Sequence, residues 1–133
     1  MNNKITIILV DDEPAHNTLI KRHLSKCGLD SEIISLDSGQ QVLNYIFTVG
    51  EYKNQRLPQQ IVILLDINMP GIGGLEATRQ IKRYSERIKV VVVTACVEDP
   101  YPAHVMESGA AAYVSKSSHI SEMIKAIKQV HVG

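Results

Sequence analysis

Cysteine is scarce: Cys27 and Cys96 stand far apart and in none of the spacings that hold a metal or form a redox pair. That excludes a disulfide-stapled scaffold and points to two free thiols in a reducing compartment. An excess of one charge is also missing. Lys plus Arg total 14 and Asp plus Glu total 14, so the net charge is zero. Nothing in that balance favours nucleic acid or an anionic membrane as a partner. No apolar run approaches the roughly 20 residues of a membrane span. The N-terminal apolar run is too short for a signal peptide and ends in acid. There is no internal repeat and no low-complexity tract. What remains is 133 residues, 44% hydrophobic and 21% charged. This is enough for one packed domain, expected to span 1–133 and to reside in the cytoplasm.

Four short apolar runs each stop at a polar residue. Ile5 to Val10 stops at Asp11-Asp12, and Ile61 to Leu65 stops at Asp66. Lys89 to Val93 stops at Thr94, and Ala111 to Ser115 stops at Lys116. Short continuous apolar runs read as strands covered on both faces, hence a parallel sheet. Ligands of such sheets bind outside the carboxyl ends of the strands, so these polar residues are expected to meet at one edge.

Helical patterns alternate with the strands. Helix one is expected from Pro14 to Cys27, with Gly28 as its stop and Leu19, Ile20, Leu24 and Cys27 facing inward. Strand two follows at about Ser31 to Leu36. Helix two is capped by Asp37 or Ser38 and turns Val42, Leu43 and Ile46 inward. Glu51 to Gln60 reads as a long loop. Helix three is expected over Leu75 to Tyr84, after a break at Gly71, Gly73 and Gly74. A short helix four opens at Pro100 and Pro102 and closes at Gly109. Helix five spans about His119 to Val130, with Ile120, Met123, Ile124 and Ile127 inward. The expected class is α/β: a flavodoxin-like, doubly wound sheet of five parallel strands in the order 2-1-3-4-5, with five helices. Helices one and five would cover one face and helices two to four the other. Ile7 and Leu9 are expected to face Ile63 and Leu65.

That order makes strands one and three neighbours and brings Asp11, Asp12 and Asp66 together. Clustered carboxylates repel one another unless a cation joins them. Mg²⁺ suits the set, being hard, oxygen-seeking and retentive of water. Asp66 then has two available roles, metal ligand or nucleophile toward phosphorus. The second needs positive charge on the phosphoryl oxygens, which Lys116 offers, and a donor that reads the product, which Thr94 offers. Each residue also has a plainer reading. Strand-end aspartates cap helices, Thr94 suits a strand, and Tyr113 is a plain core or edge aromatic. His16, His23, His104, His119 and His131 are scattered and read as surface or satisfied side chains. Gly71, Gly73 and Gly74 are turn glycines and form no phosphate cradle.

The ordered set Val10-Asp11-Asp12-Glu13, Asp66-Ile67-Asn68-Met69-Pro70-Gly71, Thr94-Ala95 and Tyr113-Val114-Ser115-Lys116 resembles a response-regulator receiver domain along the whole chain. The resemblance implies that Asp66 is the phosphoacceptor. It implies Mg²⁺ held by Asp12 and Asp66, with Asp11 acting through water and Asn68 lending its backbone carbonyl. Thr94 and Tyr113 would form the switch pair, and Lys116 would contact the phosphoryl group. The implied partner is a histidine kinase or phosphotransfer protein. A homodimer through the helix-four, strand-five, helix-five face is also implied, with nucleic acid reached only through an output domain outside this chain. Ser117 stands where many receivers carry a proline after the lysine. The segments Met69 to Arg79, Glu98 to Pro102 and Gly109 to Ala111 resemble GacA/UvrY-type regulators of the NarL/FixJ class. The first half, with its Glu51 to Gln60 loop, resembles stand-alone phytochrome-linked receivers, which implies two relatives for the two halves, by natural divergence or by deliberate recombination.

Two other functions compete with a phosphorylation switch that labels and slowly dephosphorylates itself. A Mg²⁺-dependent phosphatase with an aspartyl nucleophile is weakened by Asn68, which stands where a second acid is expected, and by the lack of a large cap insertion. A degenerate receiver that only docks a partner is weakened by the intact acids and Lys116.

Overall fold

The apolar runs become the strands. The computed structural model describes residues 5–11, 14–26, 28, 31–54, 58, 60–66, 74–94, 101–115 and 119–132. Its elements are β1 (Ile5–Val10), α1 (Pro14–Ser25), β2 (Ser31–Leu36), α2 (Gly39–Phe47), a single 3-10 turn (Gly50–Tyr52), β3 (Ile61–Asp66), α3 (Gly74–Tyr84), β4 (Lys89–Thr94), α4 (Tyr101–Glu107), β5 (Ala112–Ser115) and α5 (Ile120–Val132). The strands are parallel and stand in the order β2-β1-β3-β4-β5, as the alternation of patterns implied. Every residue of β1 and β3 is buried, because each lies inside the sheet with helices on both faces. β2 is half-buried, as befits an edge.

Two apolar layers result. Ile5, Ile7, Leu9, Val62, Leu64 and Val91 pack with residues of α1 and α5. Ile8, Val10, Ile63, Leu65, Val90 and Val92 pack with residues of α2, α3 and α4. This corrects one expected contact. Ile7 pairs with Val62 and Leu9 with Leu64, so Ile7 and Leu9 share no face with Ile63 and Leu65. Side chains alternate along a strand, and a one-residue difference in register exchanges the faces. Leu19 is a second correction. It is 40% exposed, while Ile20 and Leu24 point inward. A single helix stripe cannot include both Leu19 and Ile20 at its centre once Leu24 defines it. Met123, Ile124 and Ile127 of α5 are buried as expected.

Local chemistry fixes the element ends. Ser38, not Asp37, caps α2: its Oγ accepts the Gln41 N–H at 3.2 Å, and Gln41 Oε1 accepts the Asp37 N–H at 2.9 Å. At the α3–β4 turn, Lys82 Nζ donates to the carbonyls of Glu86 at 2.9 Å and Ile88 at 3.0 Å. Its aliphatic stem lies against Gly109, where an added Cβ would sit 2.8 Å from Lys82 Cγ. Gly109 also has φ +105, which a residue with a Cβ rarely adopts.

Candidate functional site

Parallel register brings three strand ends to one level. Val10 pairs with Leu65, Asp66 with Val93, and Thr94 with Ser115. Asp11, the first residue past β1, therefore lies beside Asp66 on the neighbouring strand, with Thr94 one strand further on. Asp66 continues the alternation of Val62 and Leu64 and falls on the α1–α5 face. Thr94 continues that of Val90 and Val92 and falls on the other face. Tyr113 pairs with Val92, so it shares the face of Thr94, and it is 40% exposed.

Asp11, Asp66 and Thr94 are only 6%, 2% and 1% exposed. Two carboxylates withdrawn from water at neighbouring strand ends demand compensation by hydrogen bonds or a cation. The first turn of α1 supplies part of it. His16 Nδ1 donates to Oδ2 of Asp11 at 2.6 Å, an ionised carboxylate being able only to accept. Asn17 Nδ2 donates to the backbone oxygen of Asp11 at 3.3 Å. A cavity of about 10 Å³ lies between these groups, lined by Val10, Asp11, His16, Asn17, Ile20, Leu64, Asp66 and Val93. Asn17, one of its lining residues, carries a buried Oδ1 with no hydrogen-bond partner among the described residues.

Among the described residues, no three His, Cys, Asp or Glu side chains are arranged to cage a metal. Mg²⁺ does not need such a cage, since it is bound through one or two carboxylates and keeps several waters. Buried oxygen donors on Asp11 and Asp66, beside an acceptor that lacks a hydrogen, fit a hydrated hard cation. The other residues expected at the site, Asp12, Asn68 and Lys116, lie outside the described residues, as do Cys27 and Cys96.

Sequence reasoning had grouped His16 with the other histidines as surface or satisfied. It is satisfied, and its partner is the acid site itself. His23 and His119 are satisfied elsewhere, by the Leu19 carbonyl and by Ser121. Asn17 had not been singled out. The signal for both was their distance from Asp11: five and six residues on, they occupy the first turn of a helix that starts at Pro14 and doubles back over the strand end.

Comparison with known proteins runs the same way. The family profile of the response regulator receiver domain matches residues 7–128. Response regulator GacA of Pseudomonas aeruginosa is 41% identical over 129 residues, covering 97% of this chain and 56% of its own length. The chain thus spans about half the length of the curated relatives it matches. The phosphorylated cyanobacterial phytochrome response regulator RcpA superposes with a TM-score of 0.79 at 29% identity, covering 96% of this chain and 91% of its own. Response regulator TrrA of Thermotoga maritima, solved in complex with Mg²⁺-BeF, gives 0.73 at 30% identity, covering 95% of this chain and 98% of its own. The GacA and RcpA likenesses each run across both halves of the chain, so neither divides it at Met69. No helix among the described residues is long and apolar enough to cross a membrane. By the match over residues 7–128, the chain belongs to the response regulator receiver domain family of two-component systems.

Proposed function

We propose that residues 1–133 form one receiver domain that accepts a phosphoryl group on Asp66, from a histidine kinase, a phosphotransfer protein or a small phosphodonor, with Mg²⁺. The observation that carries this reading is the pair of buried carboxylates, Asp11 and Asp66, at one level on adjacent parallel strands. A phosphorylated relative and one bound to Mg²⁺-BeF, both near 30% identity, support it.

An Asp66 carboxylate oxygen attacks phosphorus and forms the P–O bond of an acyl phosphate. The P–N bond of the phosphohistidine breaks, and its electron pair leaves on the imidazole nitrogen, which takes a proton. Asp12, Asp66 and the Asn68 carbonyl, with Asp11 acting through water, would hold Mg²⁺, which when bound would supply positive charge beside the phosphoryl oxygens. Lys116 provides a second positive charge on them. Apolar Leu64, Ile20 and Val93 line the cavity on the α1–α5 side of Asp66. Thr94 donates its hydroxyl to the new phosphoryl oxygen, and Tyr113 on the same face follows it. This changes the α4–β5–α5 surface for a downstream partner or a second copy. Water later cleaves the acyl phosphate and resets the domain. The setting is the cytoplasm.

Intact-mass measurement after incubation with acetyl phosphate and Mg²⁺ tests this. The expected result is a gain of one phosphoryl group in the parent and none in Asp66→Asn. Equal labelling of Asp66→Asn would overturn the assignment. Asp12→Ala is expected to lose both labelling and Mg²⁺ binding, and to melt at a higher temperature than the parent without metal, because one repelling acid is gone. A Mg²⁺ titration like the parent's would show that Asp12 is no ligand.

A further inference from the structure

Two consecutive residues of α1 grip Asp11 at both ends. His16 holds the carboxylate at 2.6 Å, and the Asn17 amide nitrogen holds the backbone carbonyl at 3.3 Å. The second bond fixes the orientation of the Asn17 amide, because a carbonyl can only accept and must meet the nitrogen. Oδ1 is thereby turned away from Asp11's backbone. It is buried without a partner on a residue that is 7% exposed. Buried acceptors left unmade are rare and call for an explanation.

Among the described residues, the side chains lining the adjoining cavity offer no hydrogen to satisfy it. Val10, Ile20, Leu64 and Val93 carry no side-chain donor, Asp11 and Asp66 accept when ionised, and His16 gives its Nδ1 proton to Asp11. A small ligand could bring the missing hydrogen. The cavity, at about 10 Å³, has room for about one water. Water on a divalent cation is a strong donor, and the two carboxylates beside the cavity are what would bring such a cation there.

We propose that Asn17 is a positioning residue of the cation site, its Oδ1 accepting a hydrogen bond from a water in the shell of a divalent cation bound at the Asp11–Asp66 edge. His16 and the Asn17 nitrogen hold Asp11 in place for the same cation. The inference rests on the Mg²⁺-dependent reading above and adds a reason why the site takes a cation that keeps its water. Groups that orient a metal's ligands from outside its coordination sphere typically change affinity by about 10–100-fold when removed.

Calorimetric titration with Mg²⁺ of the parent and of Asn17→Leu, with thermal melts of both in the absence of metal, tests it. Asn17→Leu is expected to bind Mg²⁺ at least about 10-fold more weakly. Its melt without metal should stay near the parent's, since an unsatisfied acceptor and the Nδ2 bond to the Asp11 carbonyl are removed together. A second measurement needs no variant: the Asn17 side-chain carbonyl carbon signal of the parent should shift during the Mg²⁺ titration and saturate with it. Equal Mg²⁺ affinity of parent and variant would overturn the proposal and leave the receiver reading intact. An Asn17 signal unmoved at Mg²⁺ saturation would do the same, assigning the atom to a resident structural water. A parent that takes up no Mg²⁺ would overturn both.

Discussion

The two faces of the sheet satisfy their polar groups in opposite ways. On the α2–α4 side they close the fold upon itself: Lys82 serves two carbonyls at the α3–β4 turn, Ser108 Oγ donates to the Val105 carbonyl, and Ser38 caps α2. On the α1–α5 side, Asp11, Asp66 and Asn17 are set into a layer of isoleucine, leucine and valine at the strand ends, and an oxygen of Asn17 is left without a hydrogen. The first arrangement is complete in the protein alone. The second, on the proposal above, is completed by a hydrated cation that meets the Asn17 oxygen. Stability and phosphoryl chemistry should therefore respond to different residues.

The largest effect that would sharpen this division comes from Ile46, fully buried in the α2–α4 layer. Ile46→Ala is expected to lower stability by about 2–5 kcal/mol in denaturant unfolding. Molecules that remain folded should still label at Asp66 with acetyl phosphate. A folded Ile46→Ala protein that fails to label would break the division.

Gly109→Ala should rank next, at about 1–3 kcal/mol, because the backbone at φ +105 resists a Cβ and the new atom meets the Lys82 stem. Adding Lys82→Ala removes the 2.8 Å contact with Cγ and leaves the 3.1 Å contact with Cβ and the backbone strain. The double variant should therefore lie closer to Lys82→Ala than additivity allows, and strict additivity in the unfolding free energies would refute the contact.

The smallest effect is one of pH. Burial, with Glu32 and Tyr52 adding to it, holds the Tyr45 phenol above its ordinary value of 10.0. A pKa raised in the folded state means that the contribution of the neutral phenol is intact below the unfolded value and lost as pH rises through the folded one. The parent should thus lose stability more steeply than Tyr45→Phe only as pH rises above about 10. Parallel curves in thermal melts would show that this buried phenol carries no linkage.

Much of this was legible in the sequence because it depends on pattern. Apolar runs ending in Asp11, Asp66 and Thr94 mark both the strands and the edge where ligands bind, and strict alternation with helices orders the sheet. What pattern did not reveal depends on register and rotation. Ile7 and Leu9 were set opposite Ile63 and Leu65 because parity between two strands is fixed only by their pairing. Leu19 looked inward because apolar neighbours on a helix resemble a wider stripe than α1 has. His16 and Asn17 were passed over because two polar residues in a first turn have no periodic signature. Their meaning comes from the strand end beneath them.

The position of β1 has a consequence for how the chain is made. β1 lies between β2 and β3, and all six of its residues end up buried. Its first neighbour follows soon, but the second begins only at Ile61. At a synthesis rate of about 5–20 residues per second, the far edge of β1 goes without its partner for on the order of several seconds. During that interval the nascent chain carries an open apolar strand edge, the kind that templates pairing with another chain. Chaperone demand for this protein should therefore peak before β3 leaves the ribosome, and codons that slow translation ahead of Ile61 should lower its soluble yield.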